Sequence, residues 1–151
     1  METVQSILER KGSRVDTIGR TATVGEAVDV MCSRKIGALV VADGDKVVGI
    51  FTERDVLSRV VAARSNPNDV KVGDVMTSTT TCCRPDTTMA ECRAVMNDKN
   101  IRHLPVVADG KLCGIVGLRD IVAAESIAKQ DTIKCLESTI ENLNEYYCSI
   151  T

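Results

Sequence analysis

The stretch Gly49-Ile50-Phe51-Thr52-Glu53-Arg54-Asp55 returns 65 residues later as Gly114-Ile115-Val116-Gly117-Leu118-Arg119-Asp120 (114 minus 49). The same offset holds without a gap between Arg20–Asp55 and Pro85–Asp120, where 12 of 36 positions are identical. A fixed period over this length indicates a duplicated structural unit.

Each copy is expected to fold as strand, helix, strand, strand and helix. Apolar residues at spacings of three and four predict the first helix of each copy. Two short apolar runs follow, separated by Asp43-Gly44-Asp45 in the first copy and Asp109-Gly110 in the second. Glycine supplies the positive φ of a tight turn, so both pairs of runs are predicted to be hairpins. Val15–Ile18 and Thr79–Cys82 are predicted to be first strands because they are rich in β-forming residues.

Short helices are predicted ahead of both copies. Val4, Ile7 and Leu8 lie at helical spacing, and Lys11-Gly12 is a helix stop signal. The counterpart is Val72–Thr77 in the second copy. The polar segment Ser65–Asp69, which contains a proline, is the predicted linker.

Thr52 and Asp55 predict a helix start after the second hairpin strand. A hydroxyl at the N-cap and a carboxylate three residues on can each accept a hydrogen bond from free backbone N–H groups. A structural cap is one interpretation. Phosphate binding is the other, because Arg and Asp return at the same offset where a strand meets a helix N-terminus.

The Gly-Ile-x-Thr-x-x-Asp junction of the first copy, its flanking strand and the paired repeat resemble tandem cystathionine-β-synthase (CBS) domains, which form a Bateman module. The resemblance implies an α/β fold of two CBS units, each a small mixed sheet with two helices, packed about a pseudo-twofold axis. The expected units are residues 3–64 and 70–125, followed by a helical extension over 126–151. The resemblance also implies two clefts that bind AMP, ADP, ATP or NAD, or in some members of the family S-adenosylmethionine.

The candidate ligand-binding residues follow from their chemistry and from the resemblance. A carboxylate can accept hydrogen bonds from both ribose hydroxyls, and an arginine one residue earlier can clamp phosphate. Small residues leave room for a purine, which aliphatic side chains would sandwich. The resemblance further implies phosphate contacts from two basic residues before the second hairpin. The predicted set is Asp55, Asp120, Arg54, Arg119, Thr52, Gly37, Ala38, Ile18, Ile36, Ile101, Pro105, Arg102 and His103.

The two copies differ at two of these positions. Gly117 stands where the first copy has Thr52 and offers no hydroxyl, so the cleft formed by Thr52, Arg54 and Asp55 is expected to bind more tightly. Arg102 and His103 replace Gly37 and Ala38. A solvent-facing arginine at a strand edge and a structurally bonded histidine are the alternative interpretation of that pair.

Composition excludes several function classes. A net charge of −2 and aromatic residues at 2% argue against nucleic-acid binding, which needs a basic surface and stacking platforms. Seven irregularly spaced cysteines and one histidine argue against a metal site or a disulfide framework. No catalytic motif is present, so no enzyme activity is expected.

The chain lacks an apolar run of membrane-spanning length and is expected inside the cell, most simply in the cytoplasm, with an organelle as the alternative.

The C-terminal segment is predicted to be a helix with one apolar face. Ile133, Leu136, Ile140, Leu143 and Tyr147 alternate spacings of three and four. This face should dock on the chain's own core or on a second subunit, and a homodimer is favoured.

The predicted function is regulatory. Occupancy of the clefts by an adenine nucleotide would shift the arrangement of the chain and so modulate a partner protein, which requires unequal affinity for the two arrangements. The alternative is a ligand-free assembly module.

Overall fold

The structure is a computed structural model that describes residues 2–78 and 81–150. Helix α1 precedes the first copy, and a four-residue helix α4 precedes the second. In chain order the elements are α1 (Val4–Lys11), β1 (Thr17–Ile18), α2 (Val24–Arg34), β2 (Ala38–Asp43), β3 (Lys46–Thr52), α3 (Glu53–Asp55), a π-helix (Val56–Val61), α4 (Val72–Val75), α5 (Met89–Lys99), β4 (His103–Ala108), β5 (Lys111–Gly117) and α6 (Leu118–Ile150).

The 65-residue period of the sequence is reproduced in the backbone. Helices α2 and α5, strands β2 and β4, and strands β3 and β5 begin and end at residues separated by that offset. Helices α2 and α5 both start with a capping box, formed by Thr23 with Glu26 and by Thr88 with Glu91. The duplicated fold predicted from sequence is therefore confirmed.

Each copy contains an antiparallel hairpin with a bulge at the equivalent position. In the first copy, β1 adds a parallel strand to give the order β1-β2-β3. In the second copy, Cys83 makes a single parallel bridge with Val106 beside the β4-β5 hairpin. The first strand predicted over Thr79–Cys82 is corrected in part, since the pairing lies at Cys83. Thr79 and Thr80 lie outside the described residues.

The helix after β3 begins at Glu53, directly after Thr52. The predicted N-cap is confirmed: the Thr52 N–H donates to Asp55 Oδ2 at 3.0 Å, and Asp55 N–H donates to Thr52 Oγ1 at 3.4 Å. Beyond Asp55 the coil widens into the π-helix. A π-turn inside a helix is uncommon and often marks a functional region.

The leading helices are exchanged between the copies. Val4, Ile7 and Leu8 of α1 lie in the core of the second copy, together with Leu104 and Ile121. The corresponding residues of α4 lie in the core of the first copy, which is centred on Phe51 and Leu39 and includes Val72 and Val75. Each copy therefore completes its core with a helix that precedes the other, so the two copies depend on each other for apolar burial.

Helix α6 runs without interruption from the end of β5 to Ile150. Ile121 and Ala124 in its first two turns are buried against the second copy. From Ser126 to Ser149 every residue is exposed. The predicted helix is confirmed, whereas docking of its apolar face on the chain's own core is not observed.

Candidate functional site

A cleft of about 1480 Å³ lies between the two copies. It exceeds the roughly 300–1,000 Å³ of a typical small-molecule pocket. Both copies and the end of α1 contribute to its walls. The lining residues that carry charge or small side chains are Lys11, Cys32, Lys35, Gly37, Ala38, Glu53, Arg102, His103, Gly117, Arg119, Asp120, Ala123 and Ser126.

Asp120 is one of the two carboxylates that line the cleft. It lies in the first turn of α6, and its Oδ2 accepts a hydrogen bond from the Gly117 N–H at 2.7 Å. This bond repeats the contact between Thr52 and Asp55 in the first copy, with the hydroxyl missing. The same Oδ2 also lies 2.8 Å from Lys11 Nζ at the end of α1. Asp120 therefore keeps a part-exposed carboxylate at the cleft, with 27% of its side chain accessible.

His103 stands beside Asp120 at the start of β4 and is half-buried. Burial lowers the pKa of His103, Asp120 and Glu53 act to raise it, and Lys11 and Arg102 act to lower it. Because burial dominates, the imidazole is neutral at pH 7 and can both donate and accept a hydrogen bond.

The wall formed by the first copy combines small residues with one acid. The Glu53 N–H donates to the Gly37 carbonyl at 3.1 Å. The Glu53 carboxyl group lies over Gly37, since a Cβ built on that glycine would meet it at 3.2–3.3 Å. Gly37 thus leaves room for the Glu53 side chain, and the space expected for a purine at this point is shared with a carboxylate.

Asp55 occupies a different environment from Asp120. It is only 4% exposed, and among the described residues it is the one charged side chain that is buried. Oδ1 accepts a hydrogen bond from Thr77 Oγ1 at 3.0 Å and lies 3.8 Å from Arg59 Nε. Oδ2 accepts from the Thr52 N–H and hydroxyl. Both oxygens are therefore engaged within the chain.

The structure divides the predicted ligand-binding residues into two groups. One group lines the cleft and comprises Ile36, Gly37, Ala38, Arg102, His103, Arg119 and Asp120. Of the second group, Ile18 and Ile101 pack against the two cores, Pro105 is buried, and Asp55 is enclosed. Thr52 bonds to Asp55, and exposed Arg54 is not among the residues lining the cleft.

The sequence patterns did not identify three charged residues that line the cleft. The Lys11-Gly12 pattern predicts only a helix stop, because the approach of Lys11 to Asp120 depends on the exchange of leading helices. Glu53 lies inside the recurring heptapeptide, and its replacement by Leu118 in the second copy was an available signal. Lys35 ends α2 in the left-handed conformation at φ 55°, as Asn100 ends α5 at φ 52°.

The cleft is positive although the chain is negative. Its lining contains four cations, Lys11, Lys35, Arg102 and Arg119, against two carboxylates, Glu53 and Asp120, a balance of +2 with neutral His103. The whole chain carries −2. A concave region whose sign opposes the net charge favours anionic ligands.

The buried cysteines form a packing contact in the second copy. Hydrogen bonding to Cys92 and burial raise the pKa of Cys83, so its thiol stays protonated and unreactive. Within residues 2–78 and 81–150, no group of three or more potential ligand side chains could hold a metal ion.

Comparison with known proteins matches two stretches of the chain to one family. The family model described as CBS domain matches residues 7–62 and 72–127. The chain is 30% identical over 148 residues to the mitochondrial CBS domain-containing protein CBSX3 of Arabidopsis thaliana, covering 92% of this chain and 72% of that protein. It spans only 55% and 36% of two further curated relatives.

Solved structures share the fold. The CBS-domain containing protein ATU1752 of Agrobacterium tumefaciens superposes with a TM-score of 0.78 at 35% identity, covering 82% of this chain and 99% of the other. The protein PAE2072 of Pyrobaculum aerophilum, solved as a complex with AMP, gives a TM-score of 0.71 at 24% identity, with 79% and 89% covered. Across the described residues, no helix is both long and apolar enough to cross a membrane.

Proposed function

Because the chain belongs to the CBS-domain family, we propose that it is a regulatory sensor of adenine nucleotides that acts on a partner protein. The observation that carries the proposal is the positive balance of a cleft between the copies in a chain of net charge −2. AMP in the Pyrobaculum protein is a property of that protein, and its 24% identity supports the fold alone.

The second copy supplies the polar contacts of the proposed site. Asp120 accepts hydrogen bonds from the ribose hydroxyls, and Arg102 and Arg119 bind phosphate, because guanidinium groups pair with phosphate oxygens in a fork. Neutral His103 gives a further hydrogen bond without adding charge. The adenine packs against the apolar wall formed by Ile36, Ala38, Val56 and Leu57.

Lys11 couples the ligand to the arrangement of the chain. Its ammonium contacts Oδ2 of the carboxylate that the ribose would use, so a bound ribose competes with Lys11 for Asp120. The freed ammonium can then contact phosphate. The two states of the cleft therefore differ in the contact between Asp120 and α1, which packs into the core of the second copy. Such a difference lets a ligand shift a population.

The contacts predicted for Thr52, Arg54 and Asp55 remain a proposal for a second site. Ligand binding there requires Asp55 to exchange its bond with Thr77 for one with ribose. Since both carboxylate oxygens are already bonded and buried, the cleft at Asp120 is proposed to fill first.

Thermal melting and calorimetric titration test the function. AMP, ADP, ATP and NAD are compared with adenosine, which lacks phosphate, and with GMP, which changes the base. A ligand that binds only the folded state at 100 times its Kd adds about 2.7 kcal/mol to the free energy of unfolding. At least one adenine nucleotide is expected to raise the melting temperature above both controls. An unchanged melting temperature with all four at millimolar concentration would contradict the sensor and favour an assembly module.

A further inference from the structure

The distal part of α6 exposes an apolar face that no other part of the described chain covers. We call Ile133, Leu136, Ile140, Leu143 and Tyr147 the α6 seam. Their exposed fractions are 48%, 57%, 57%, 50% and 66%. Isolated apolar residues on a surface are ordinary, but a continuous stripe of this length marks an interaction surface.

The seam residues follow a heptad pattern. With Ile133 and Ile140 at position a, Leu136 and Leu143 fall at position d, and Tyr147 takes the next a. β-branched residues at a combined with leucine at d favour two parallel strands over higher oligomers. The seam therefore fits two copies of the same helix aligned in parallel.

The residues beside the seam are compatible with this pairing. In a parallel pair, position g of one helix faces position e of the other one heptad on. Thr132 would face Glu137 of the second copy, and Thr139 would face Asn144, so no like charges meet. Further towards the cleft, Ser126 and Lys129 fall at a and d. Two apposed lysines would end the pairing there and let the helices separate before they reach the two CBS bodies.

The area available matches a small but specific interface. Covering the seam and its flanks on two chains would remove on the order of 1,200 Å² from water, the lower end of what stable interfaces bury. Two heptads are a short coiled coil, so the association should depend on protein concentration.

We propose that the chain forms a homodimer through a parallel two-stranded coiled coil of the α6 seam. This surface does not line the cleft, which reaches along α6 only to Ser126. Dimerisation and nucleotide binding can therefore fail separately in experiments, and each proposal has its own readout.

The mass of the protein in solution tests the pairing. At roughly 100 µM, where weak pairs are populated, the parent is expected at twice the chain mass of 16.3 kDa by light scattering. Ile140→Asp places a charge in the middle of the seam and should return the mass to that of one chain. Ile127→Asp is the matched control, because Ile127 is also exposed, at 48%, but lies off the seam at position b. It should keep the dimer mass.

Circular dichroism with both variants checks that the fold is retained. A monomeric parent, or an Ile140→Asp variant that keeps the mass of the parent, would overturn the proposal. Binding of AMP in the melting assay is expected to be the same in both variants.

A cross-link tests the parallel orientation. Ile133→Cys is introduced into a chain in which the exposed Cys32, Cys82, Cys135 and Cys148 are replaced by serine. In a parallel pair the two residues at position 133 meet in one layer, so mild oxidation should produce a disulfide-linked dimer. In an antiparallel pair they lie near opposite ends of the seam. A dimer by mass that gives no cross-link would overturn the parallel arrangement.

Discussion

Lys11 Nζ lies 2.8 Å from Asp120 Oδ2, which joins the end of the first helix to the start of the last. The equivalent relationship in the first copy joins Thr77, just after α4, to Asp55 at 3.0 Å. In both cases a residue at or just beyond the end of one leading helix reaches the acid of the other copy. The exchange of leading helices thus gives each recurring acid a partner from outside its own repeat.

Asp120→Asn should weaken nucleotide binding with little effect on folding. A hydrogen bond to a charged group contributes about 1.5–3 kcal/mol, which corresponds to about 10- to 100-fold in Kd. The asparagine oxygen can still accept from the Gly117 N–H. Calorimetric titration with the nucleotide that melts highest measures the change. Asp109→Asn in the β4–β5 turn is the control, because Asn tolerates the left-handed conformation of Asp109 at φ 51°. Equal affinities for parent and Asp120→Asn would contradict the assigned role.

Asp55→Ala should mainly destabilise the fold. It removes a helix cap, which contributes about 0.5–2 kcal/mol, and leaves bonded groups around a buried position without acceptors, at about 1–3 kcal/mol. The expected loss in free energy of unfolding is about 2–4 kcal/mol, measured by urea denaturation. Asp120→Ala, at the equivalent but part-exposed position, should lose about 1 kcal/mol. Similar losses in both variants would show that burial does not distinguish the two acids.

The different environments of Asp55 and Asp120 could not be predicted from the sequence. The 65-residue repeat, the Thr52 cap and the hairpins follow from local patterns, since capping and turn formation involve residues a few positions apart. Contacts such as Lys11 with Asp120 span 109 residues and depend on which core each leading helix enters. Val4 and Val72 offer both cores a similar apolar face, so the exchange could not be predicted from periodicity.

The π-helix is a second feature without a local signal. Its six residues Val56–Val61 continue an ordinary helical pattern in sequence, and the widening was not predicted. Among the described residues of the second copy, the parallel pairing before β4 lies at Cys83, one residue beyond the predicted strand, because β-propensity favours the preceding threonines. In that case pairing partners prevailed over propensity.

Stability should fall as pH decreases below neutrality, in part because of His103. Burial holds the folded-state pKa of His103 below its ordinary value of 6.5. As pH falls through 6.5 the unfolded chain binds a proton that the folded chain resists, so the free energy of unfolding decreases. One such group contributes a slope of at most about 1.4 kcal/mol per pH unit. The contribution is complete above the unfolded-state pKa, and it is lost as pH falls through the lower folded-state pKa.

Urea denaturation of the parent and His103→Gln across this pH range measures the effect. The carboxylates contribute in both proteins, so the difference between the two curves isolates the histidine. The free energy of unfolding of the variant should decrease less steeply between pH 7 and pH 5.5. The charged groups that face the imidazole are Asp120, Glu53, Lys11 and Arg102. Parallel curves would show that burial does not control protonation there.

Gly49→Ala should be more damaging than Gly114→Ala, although the two glycines are equivalent in the repeat. A Cβ at Gly49 would lie 2.8 Å from the Thr77 carbonyl oxygen and 2.7 Å from Met76 Sδ. Overpacking against backbone costs about 1–3 kcal/mol. A Cβ at Gly114 would meet the side-chain end of Leu8 at 2.9 Å instead of backbone, so a shift of that side chain can relieve part of the overlap. Urea denaturation should rank the two losses in that order, and the reverse order would refute the packing argument.

Helix α6 starts beside Asp120 and carries the seam at its far end without a break. At 1.5 Å per residue, Tyr147 lies about 44 Å from Leu118. A straight rod of that length acts as a lever arm: a tilt of about 5° in its first turn would sweep the tip through about 4 Å. A sub-ångström shift of the first turn of α6 at Asp120 would therefore displace its far end at Tyr147 by about the length of a side chain.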